Sequence, residues 1–286
     1  MTVQTGPPGS GGSGAAVERG PELAEAMPSR VRGLLVEVGQ VGQLTAALFS
    51  TAIRNPRGYW ADTFEEMYGL LRFCYISVLL CVGGFCFLIG NYAYNILTLV
   101  GAPNRLGFFF VFATAREIAP FCTGMAVAGV MGTAMTADLG ARKVREELDA
   151  LKVLGVDMVR ALVLPRVLAI TIMTVAFDLV GIAIGTGLAA LAGCAIGIVS
   201  YGAFFSVFLA NMTAPELAGT VIKTLLIGLF IGIVCAQKGL NSKGGAEGVG
   251  RAVNQAVVLC FAAVWIVNFI VNAVLLGLNP DILINR

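Results

Sequence analysis

The stretch DLGARKVREELDALKVLGVDMVRALVLPR, residues 138–166, decides how the rest of the chain can be placed. Almost every second or third position in it is charged: Asp138, Arg142, Lys143, Arg145, Glu146, Glu147, Asp149, Lys152, Asp157, Arg160 and Arg166. A membrane span cannot hold this density of charge, because each ionised group is costly to place in lipid. Long apolar runs precede and follow the stretch. It is therefore predicted to be a solvated segment between membrane spans.

The composition agrees with a membrane protein. The chain is 57% hydrophobic and 13% charged, and its mean hydropathy of +0.85 lies far from that of a soluble domain. It contains no histidine, the commonest general base and metal ligand. Its seven cysteines stand singly in apolar runs, so we expect packing residues rather than disulfides or metal ligands. The net charge of +2 is spread over short loops and does not indicate nucleic-acid binding.

The chain divides into three parts. Residues 1–30 are polar and rich in Gly, Ser and Pro, which predicts a disordered cytoplasmic tail. Residues 31–72 are predicted to form an amphipathic helix, Val31–Arg54, that lies in the membrane interface, followed by a linker. Residues 73–286 form the membrane domain. The fold class is therefore an all-α integral membrane protein that begins with an interfacial helix.

Five apolar runs in the membrane domain are long enough to span a bilayer. They cover about residues 73–97, 116–139, 167–193, 217–237 and 252–276. Two shorter apolar pieces, 106–115 and 195–210, are predicted to be re-entrant or interfacial, and residues 238–251 a polar loop. Counting 195–210 as a sixth span is the less favoured alternative.

The basic residues predict an orientation. Lys and Arg are concentrated in the N-terminal region, in residues 138–166 and in residues 238–251. Because cytoplasmic loops carry the excess of basic residues, these regions are expected to be cytoplasmic. The N-terminus of this multi-pass cell-membrane protein is then inside and its C-terminus outside.

Three of the spans carry small residues at every fourth position, which allows close helix packing in lipid. These stripes are Gly124, Ala128 and Gly132; Gly181, Gly185, Ala189 and Gly193; and Gly228, Gly232 and Ala236. Tight packing within the bundle is one interpretation. The other is that one stripe forms an interface between subunits.

Four charged residues lie at or within the spans: Arg116, Glu117, Asp178 and Lys223. Such residues usually face a partner or a polar cavity. The helical rise brings Asp178 and Lys223 to similar depths, with Glu117 as a second candidate partner for Lys223. They are either a structural ion pair or a polar lining of a lipid pathway.

The charged stretch contains a short amphipathic helix, about residues 144–155. Val144, Leu148 and Leu151 recur with helical spacing, and Gly155 is expected to end the helix. Its mixed charges favour a groove in a protein partner over an anionic lipid surface. We therefore expect the apolar stripe to dock into a cytoplasmic partner.

Several motifs resemble the MlaE/YrbE permeases, the membrane subunits of Mce-type ABC lipid transporters, most closely the actinobacterial YrbE subunits. They are R-E-I-A-P at 116–120, A-D-L-G at 137–140, E-E-L-D-A-L at 146–151, G-V-D at 155–157, P-R-V-L-A at 165–169, F-D-L-V-G-I at 177–182, Lys223-Thr224 and G-A-E-G-V-G at 245–250.

The resemblance implies a coupling helix held in a groove of a cytoplasmic ABC ATPase. Its contact residues would be Val144, Arg145, Glu146, Glu147, Leu148, Asp149, Leu151, Lys152 and Leu154. It also implies that Arg116, Glu117 and Lys223 border the lipid pathway, with Asp178 a further candidate. The implied partners are a second permease, extracytoplasmic Mce proteins and membrane lipids.

The chain departs from the family pattern at two positions. Val130 stands where many relatives have Arg, which fits pairing with a non-identical permease, and Met158 stands where many have Pro. The chain has no G-x-x-x-x-G-K-[ST] motif, so ATP and Mg²⁺ are expected on the partner ATPase and no cofactor on this chain. A stand-alone secondary transporter or channel and a structural membrane anchor are the alternatives.

Overall fold

The computed structural model describes residues 29–54, 58–195 and 199–278, and every regular element within them is a helix. Most of the predicted tail, residues 1–28, and the last residues, 279–286, lie outside the described part. The chain divides into two compact units at residues 43 and 44. The described part of the first unit is helix alone, and the second unit contains all the spans.

The helices, numbered in chain order, are α1 (Ser29–Arg54), α2 (Trp60–Leu99), α3 (Pro103–Val144), α4 (Glu147–Val153), α5 (Val159–Cys194), α6 (Tyr201–Asn211), α7 (Ala214–Leu240) and α8 (Gly245–Leu278). Within the described residues, α2, α3, α5, α7 and α8 are long and apolar enough to cross a membrane. The five predicted spans are therefore confirmed. Helix α1 agrees with the predicted amphipathic helix, whose place in the membrane interface stays a prediction.

The helices extend beyond the predicted spans. The separate interfacial helix at 106–115 is wrong, because α3 continues through it without a break. The predicted polar loop at 238–251 is mostly helical, and only residues 241–244 separate α7 from α8. Polar residues at the end of a span can continue its helix, since intrahelical hydrogen bonds do not depend on the surrounding solvent. Helix α6, 11 residues long, is too short to span.

The small-residue stripes all pack inside the bundle. A Cβ atom at Gly228 would lie 2.9 Å from the Cα of Thr171 on α5, and one at Gly132 would lie 2.9 Å from the Sγ of Cys235 on α7. A Cβ atom at Gly185 would lie 2.8 Å from the Sγ of Cys86 on α2. Each stripe therefore serves helix packing within one chain, as the first interpretation predicted.

The bundle has two distinct ends. At one end, Arg166 of α5 joins α2 and α3 through ion pairs with Glu66 at 2.9 Å and Asp138 at 2.6 Å. The turn between α7 and α8 packs beside them, and α4 follows α3 at this end. At the opposite end, α6 packs on the start of α3, where Gly107 lies against the backbone of Phe204. We call these the α4 end and the α6 end.

Candidate functional site

A widened turn of α3 is the base of the candidate site. Residues Val111–Ile118 form a π-helix, in which the N–H of Ala119 donates to the carbonyl of Thr114. The carbonyl of Ala115 thereby loses its α-helical donor. The carbonyl of Arg116 would accept from residue 120, but Pro120 has no N–H. Two successive carbonyls are thus left without their usual helical donors.

Helix α7 supplies both missing donors. The hydroxyl of Thr220 donates to the carbonyl of Ala115 at 2.9 Å, and Nζ of Lys223 donates to the carbonyl of Arg116 at 2.5 Å. Both side chains are buried. Buried backbone carbonyls require a partner, so these bonds fix α7 against the widened turn of α3.

The side chain of Arg116 forms a buried ion pair with Glu216 in the first turn of α7. Nε of Arg116 donates to Oε2 of Glu216 at 3.3 Å, and a second guanidinium nitrogen contacts Oε1. The guanidinium also lies 4.5 Å from the ring centroid of Phe112. The charge of Arg116 is therefore compensated within the chain.

Glu117 is held by two amides of α8. Nδ2 of Asn268 donates to Oε2 of Glu117 at 2.6 Å, and Nδ2 of Asn272 contacts Oε1. Oδ1 of Asn272 accepts from Nζ of Lys223 at 2.6 Å. Asn272 thus connects the carboxylate of Glu117 with the ammonium of Lys223.

Asp178 of α5 completes the group. Its Oδ2 lies 3.2 Å from the hydroxyl oxygen of Thr220, and the side chain is fully buried. Thr220 therefore lies between Asp178 and the widened turn of α3. We refer to Arg116, Glu117, Asp178, Glu216, Thr220, Lys223, Asn268 and Asn272 as the polar cluster.

The structure brings all four predicted intramembrane charges into this cluster. The predicted direct pair of Asp178 and Lys223 is not found among the described ion pairs, because Lys223 is directed to Arg116 and Asn272. Only Glu117 of the four is exposed. In this conformation a ligand could therefore reach the polar cluster only at Glu117 and at the amides of Asn268 and Asn272 that bind it.

Half of the cluster was not singled out from the sequence. Glu216, Thr220 and Lys223 occur at i, i+4 and i+7, which is one face of a helix, and Asn268 and Asn272 are one turn apart in an apolar span. Both spacings are readable signals. The predicted span begins at residue 217 and leaves Glu216 outside it, although Pro215 is suited to the first turn of a helix.

The segment around α4 differs from its prediction. Helix α4 runs only from Glu147 to Val153, since α3 ends at Val144 and Glu146 adopts a left-handed conformation with φ of 60°. The predicted end at Gly155 is confirmed by its φ of 73°. Val144 therefore belongs to α3, and the predicted continuous stripe does not exist as one helix face.

Burial also corrects the proposed contact face of this segment. Leu148 is 1% exposed and packs within the chain, so it cannot insert into a partner in this conformation. Within the predicted helix 144–155, the exposed large apolar side chains are instead Val144 at 43%, Val153 at 89% and Leu154 at 75%. Leu151 is half-buried. We refer to Val144, Val153 and Leu154 as the apolar tip.

Ion pairs stabilise the turn that presents the apolar tip. Nζ of Lys143 lies 2.8 Å from Asp149, and Nε of Arg145 lies 2.7 Å from Glu147. The hydrogen bond from Lys143, supported by Lys152, lowers the pKa of Asp149 below its usual range. The predicted contact residues Arg145, Glu147, Asp149 and Lys152 thus pair with one another or with Lys143.

Comparisons with known proteins agree with this architecture. A family described as "Permease MlaE" matches residues 63–274. A 177-residue segment is 34% identical to the probable ABC transporter permease protein slr1045 of Synechocystis sp., covering 59% of this chain and 64% of that protein. Another, of 176 residues, is 30% identical to the chloroplastic protein TRIGALACTOSYLDIACYLGLYCEROL 1 of Arabidopsis thaliana, covering 62% of this chain and 50% of that protein.

A longer match extends over most of the membrane domain. A probable ABC transporter permease protein of Rickettsia bellii is 25% identical over 254 residues, which cover 87% of this chain and 96% of that protein. The family match spans all five candidate membrane helices and includes the polar cluster. This chain belongs to the MlaE permease family.

Proposed function

We propose that the chain is the permease subunit of an ATP-driven, Mce-type transporter that passes a hydrophobic lipid between extracytoplasmic Mce proteins and the cell membrane. The observation that carries this proposal is the coexistence of two surfaces in one membrane bundle. An exposed carboxylate, Glu117, belongs to a buried polar cluster in the membrane part. An exposed apolar tip lies at the α4 end.

The surroundings of Glu117 suit an amphipathic substrate. The exposed face of α8 near its amides carries large apolar side chains, among them Trp265 at 60% and Phe269 at 74% exposed. Phe121 of α3 packs edge-on against Trp265, with ring centroids 4.7 Å apart. A lipid chain would contact this apolar surface while its polar group contacts Glu117 and Asn272. A fatty acid, a mycolic-type lipid and a sterol all satisfy this chemistry.

The partners follow from the same two surfaces. The apolar tip would insert into a cytoplasmic ABC ATPase, which holds ATP and Mg²⁺, and the exposed α8 face would meet a second, non-identical permease. Extracytoplasmic Mce proteins would exchange the lipid with the permease on the side of the bundle where the polar cluster lies. In this proposal the N-terminus is cytoplasmic, the C-terminus is extracytoplasmic and transport is inward.

Distance sets a requirement on the mechanism. Arg116 lies 28 residues before Val144 on α3, about 40 Å along a helix. Motion of the ATPase therefore has to reach the cluster through the packed helices. The bonds from α7 to the widened turn of α3 give such a path, since a tilt of either helix moves the other.

The docking surface can be tested by co-purification with the candidate ATPase. The change Val153→Asp together with Leu154→Asp should abolish recovery of the ATPase, because it places two charges in an apolar contact. Leu99→Asp is the matched control, since Leu99 is 88% exposed but lies at the α6 end. Full recovery of the ATPase by the double variant would refute the docking surface.

The lipid site can be tested by uptake of a labelled fatty acid. Glu117→Gln should reduce uptake while leaving assembly intact, because glutamine keeps the shape and loses the charge. Glu247→Gln is the control, as Glu247 is an exposed carboxylate at the α4 end. Equal uptake by both variants would refute a role of Glu117. Uptake that persists without any ATPase would favour the secondary-transporter alternative.

A further inference from the structure

One hydroxyl group in the polar cluster faces two acceptors. The oxygen of Thr220 lies 2.9 Å from the carbonyl oxygen of Ala115 and 3.2 Å from Oδ2 of Asp178. A threonine hydroxyl has one hydrogen to donate and two lone pairs that accept. If Asp178 were ionised, the two neighbours would compete for a single hydrogen, and one contact would be a repulsive approach of two oxygens.

The hydroxyl hydrogen of Thr220 is donated to the carbonyl oxygen of Ala115. The carbonyl of Ala115 is the nearer acceptor, and its own helix gives it no donor because Ala119 donates to Thr114. Leaving a buried carbonyl unsatisfied costs about 1–3 kcal/mol. The contact between Thr220 and Asp178 is then a hydrogen bond only if the carboxyl group donates, which requires a proton on Oδ2.

The remaining environment of Asp178 also suits a neutral acid. Its Oδ1 is buried and receives no hydrogen bond from any described residue. An ionised carboxylate accepts several hydrogen bonds or pairs with a cation when it is buried. In the described part of the chain Asp178 forms no ion pair and its one hydrogen-bond contact is with Thr220, so ionisation here would leave a poorly solvated charge.

The charges on the surrounding helices are already balanced. On α3 and α7, Arg116 pairs with Glu216, and Lys223 is connected to Glu117 through Asn272. Helix α2 presents Val82 and the thiol of Cys86 to this part of α5, and α6 contains no charged residue. A negative charge on Asp178 would therefore be the excess charge of the cluster.

We propose that Asp178 is a neutral carboxylic acid that donates a hydrogen bond to Thr220 and releases its proton when α5 and α7 separate and admit water. The O–H bond of the carboxyl group breaks, the proton passes to the entering water, and the carboxylate is left near the ammonium of Lys223. Separation of α5 from α7 is thereby coupled to the release of one proton, whichever lipid is carried.

Infrared spectroscopy of the full chain in lipid nanodiscs tests the protonation state directly. With aspartates carrying ¹³C in the carboxyl group, we expect a shifted C=O stretching band of a protonated carboxyl at pH 7, which Asp178→Asn removes. Only carboxylate bands from labelled aspartate would overturn the proposal. The labelled wild type alone decides this outcome, even if the variant fails to fold.

The link to helix separation is tested by spin labels on α5 and α7, at the exposed positions Val180 and Ile222. Raising the pH should widen the distance distribution in the otherwise native chain. Asp178→Asn should abolish that response, since asparagine stays neutral and can still donate to Thr220. A wider distribution at high pH in both proteins, or in neither, would refute the link.

Discussion

Replacing Thr220 by valine removes one hydroxyl at the centre of the polar cluster and preserves the shape of the side chain. The carbonyl of Ala115 loses its donor, and Asp178 loses its hydrogen-bond partner. An unsatisfied buried acceptor costs about 1–3 kcal/mol, whereas single hydrogen bonds measured in a membrane protein reach at most about 1.7 kcal/mol. We expect Thr220→Val to lower the free energy of unfolding by about 2 kcal/mol.

The matched control is Thr224→Val, one turn further along α7. Thr224 is also fully buried, but its hydroxyl donates to carbonyls of its own helix, Thr220 at 2.9 Å and Val221 at 3.2 Å. Helical carbonyls keep their backbone donors when such a bond is lost, so the expected cost is below about 0.5 kcal/mol. Unfolding in mixed bicelles measures both. Equal losses in the two variants would refute the assignment of Thr220 as the donor to Ala115.

Three further perturbations probe packing, charge and pH. Gly228→Ala should destabilise the fold by about 1–3 kcal/mol, because its Cβ would meet the backbone of α5; thermal unfolding beside Gly187→Ala, which meets no atom within 4 Å, measures the difference. Glu216→Gln should lower the free energy of unfolding by about 3–5 kcal/mol, because the charge of Arg116 stays buried without the compensating carboxylate. Replacing both Arg116 and Glu216 by apolar residues should recover most of that loss, and denaturant unfolding measures both effects. Ionised Asp149, whose pKa is lowered in the folded chain, stabilises α4 above the pKa that this group has in the unfolded chain, and the stabilisation is lost as the pH falls through the folded value; hydrogen-exchange protection factors of α4, corrected for the intrinsic exchange rate, should fall on acidification, less so in Asp149→Asn.

The spans were predictable because an apolar run of about 20 residues has few alternatives to a membrane helix. Their ends were less predictable. Residues 106–115 precede two charged residues, which resembles an interfacial break, yet Arg116 and Glu117 find partners on α7 and α8 and the helix continues. A charged pair marks the end of a span only when it has no partners at that depth.

The face of α4 could not be read from helical spacing alone. The spacing of Val144, Leu148 and Leu151 assumes one continuous helix, but the chain turns at Glu146 through a positive φ. A non-glycine residue in this conformation is uncommon and costs about 1–2 kcal/mol, so sequence reasoning does not anticipate it. The burial of Leu148 depends on this turn, which directs α4 back onto its own bundle.

The contacts of the polar cluster depend on backbone geometry as well as on residue type. Arg116, Glu117, Asp178 and Lys223 were identifiable because charge is rare in a span. Their partners were not, because Thr220 and Lys223 bind carbonyls that are available only through the π-helix and Pro120. A proline four residues after a charged position is the signal that could have indicated a free carbonyl there.

The widened turn also restricts how α7 can move. Ala115 and Arg116 offer adjacent carbonyls, and Thr220 and Lys223 reach them from positions three residues apart. Sliding α7 by one helical turn, about 5.4 Å, would bring Thr224 to the first carbonyl but Ile227, which has no side-chain donor, to the second. Axial sliding of α7 therefore breaks the hydrogen bond from the ammonium of Lys223, whereas tilting of α7 about this contact keeps both hydrogen bonds. The turn makes α3 and α7 a hinged pair whose fixed pivot lies at the polar cluster.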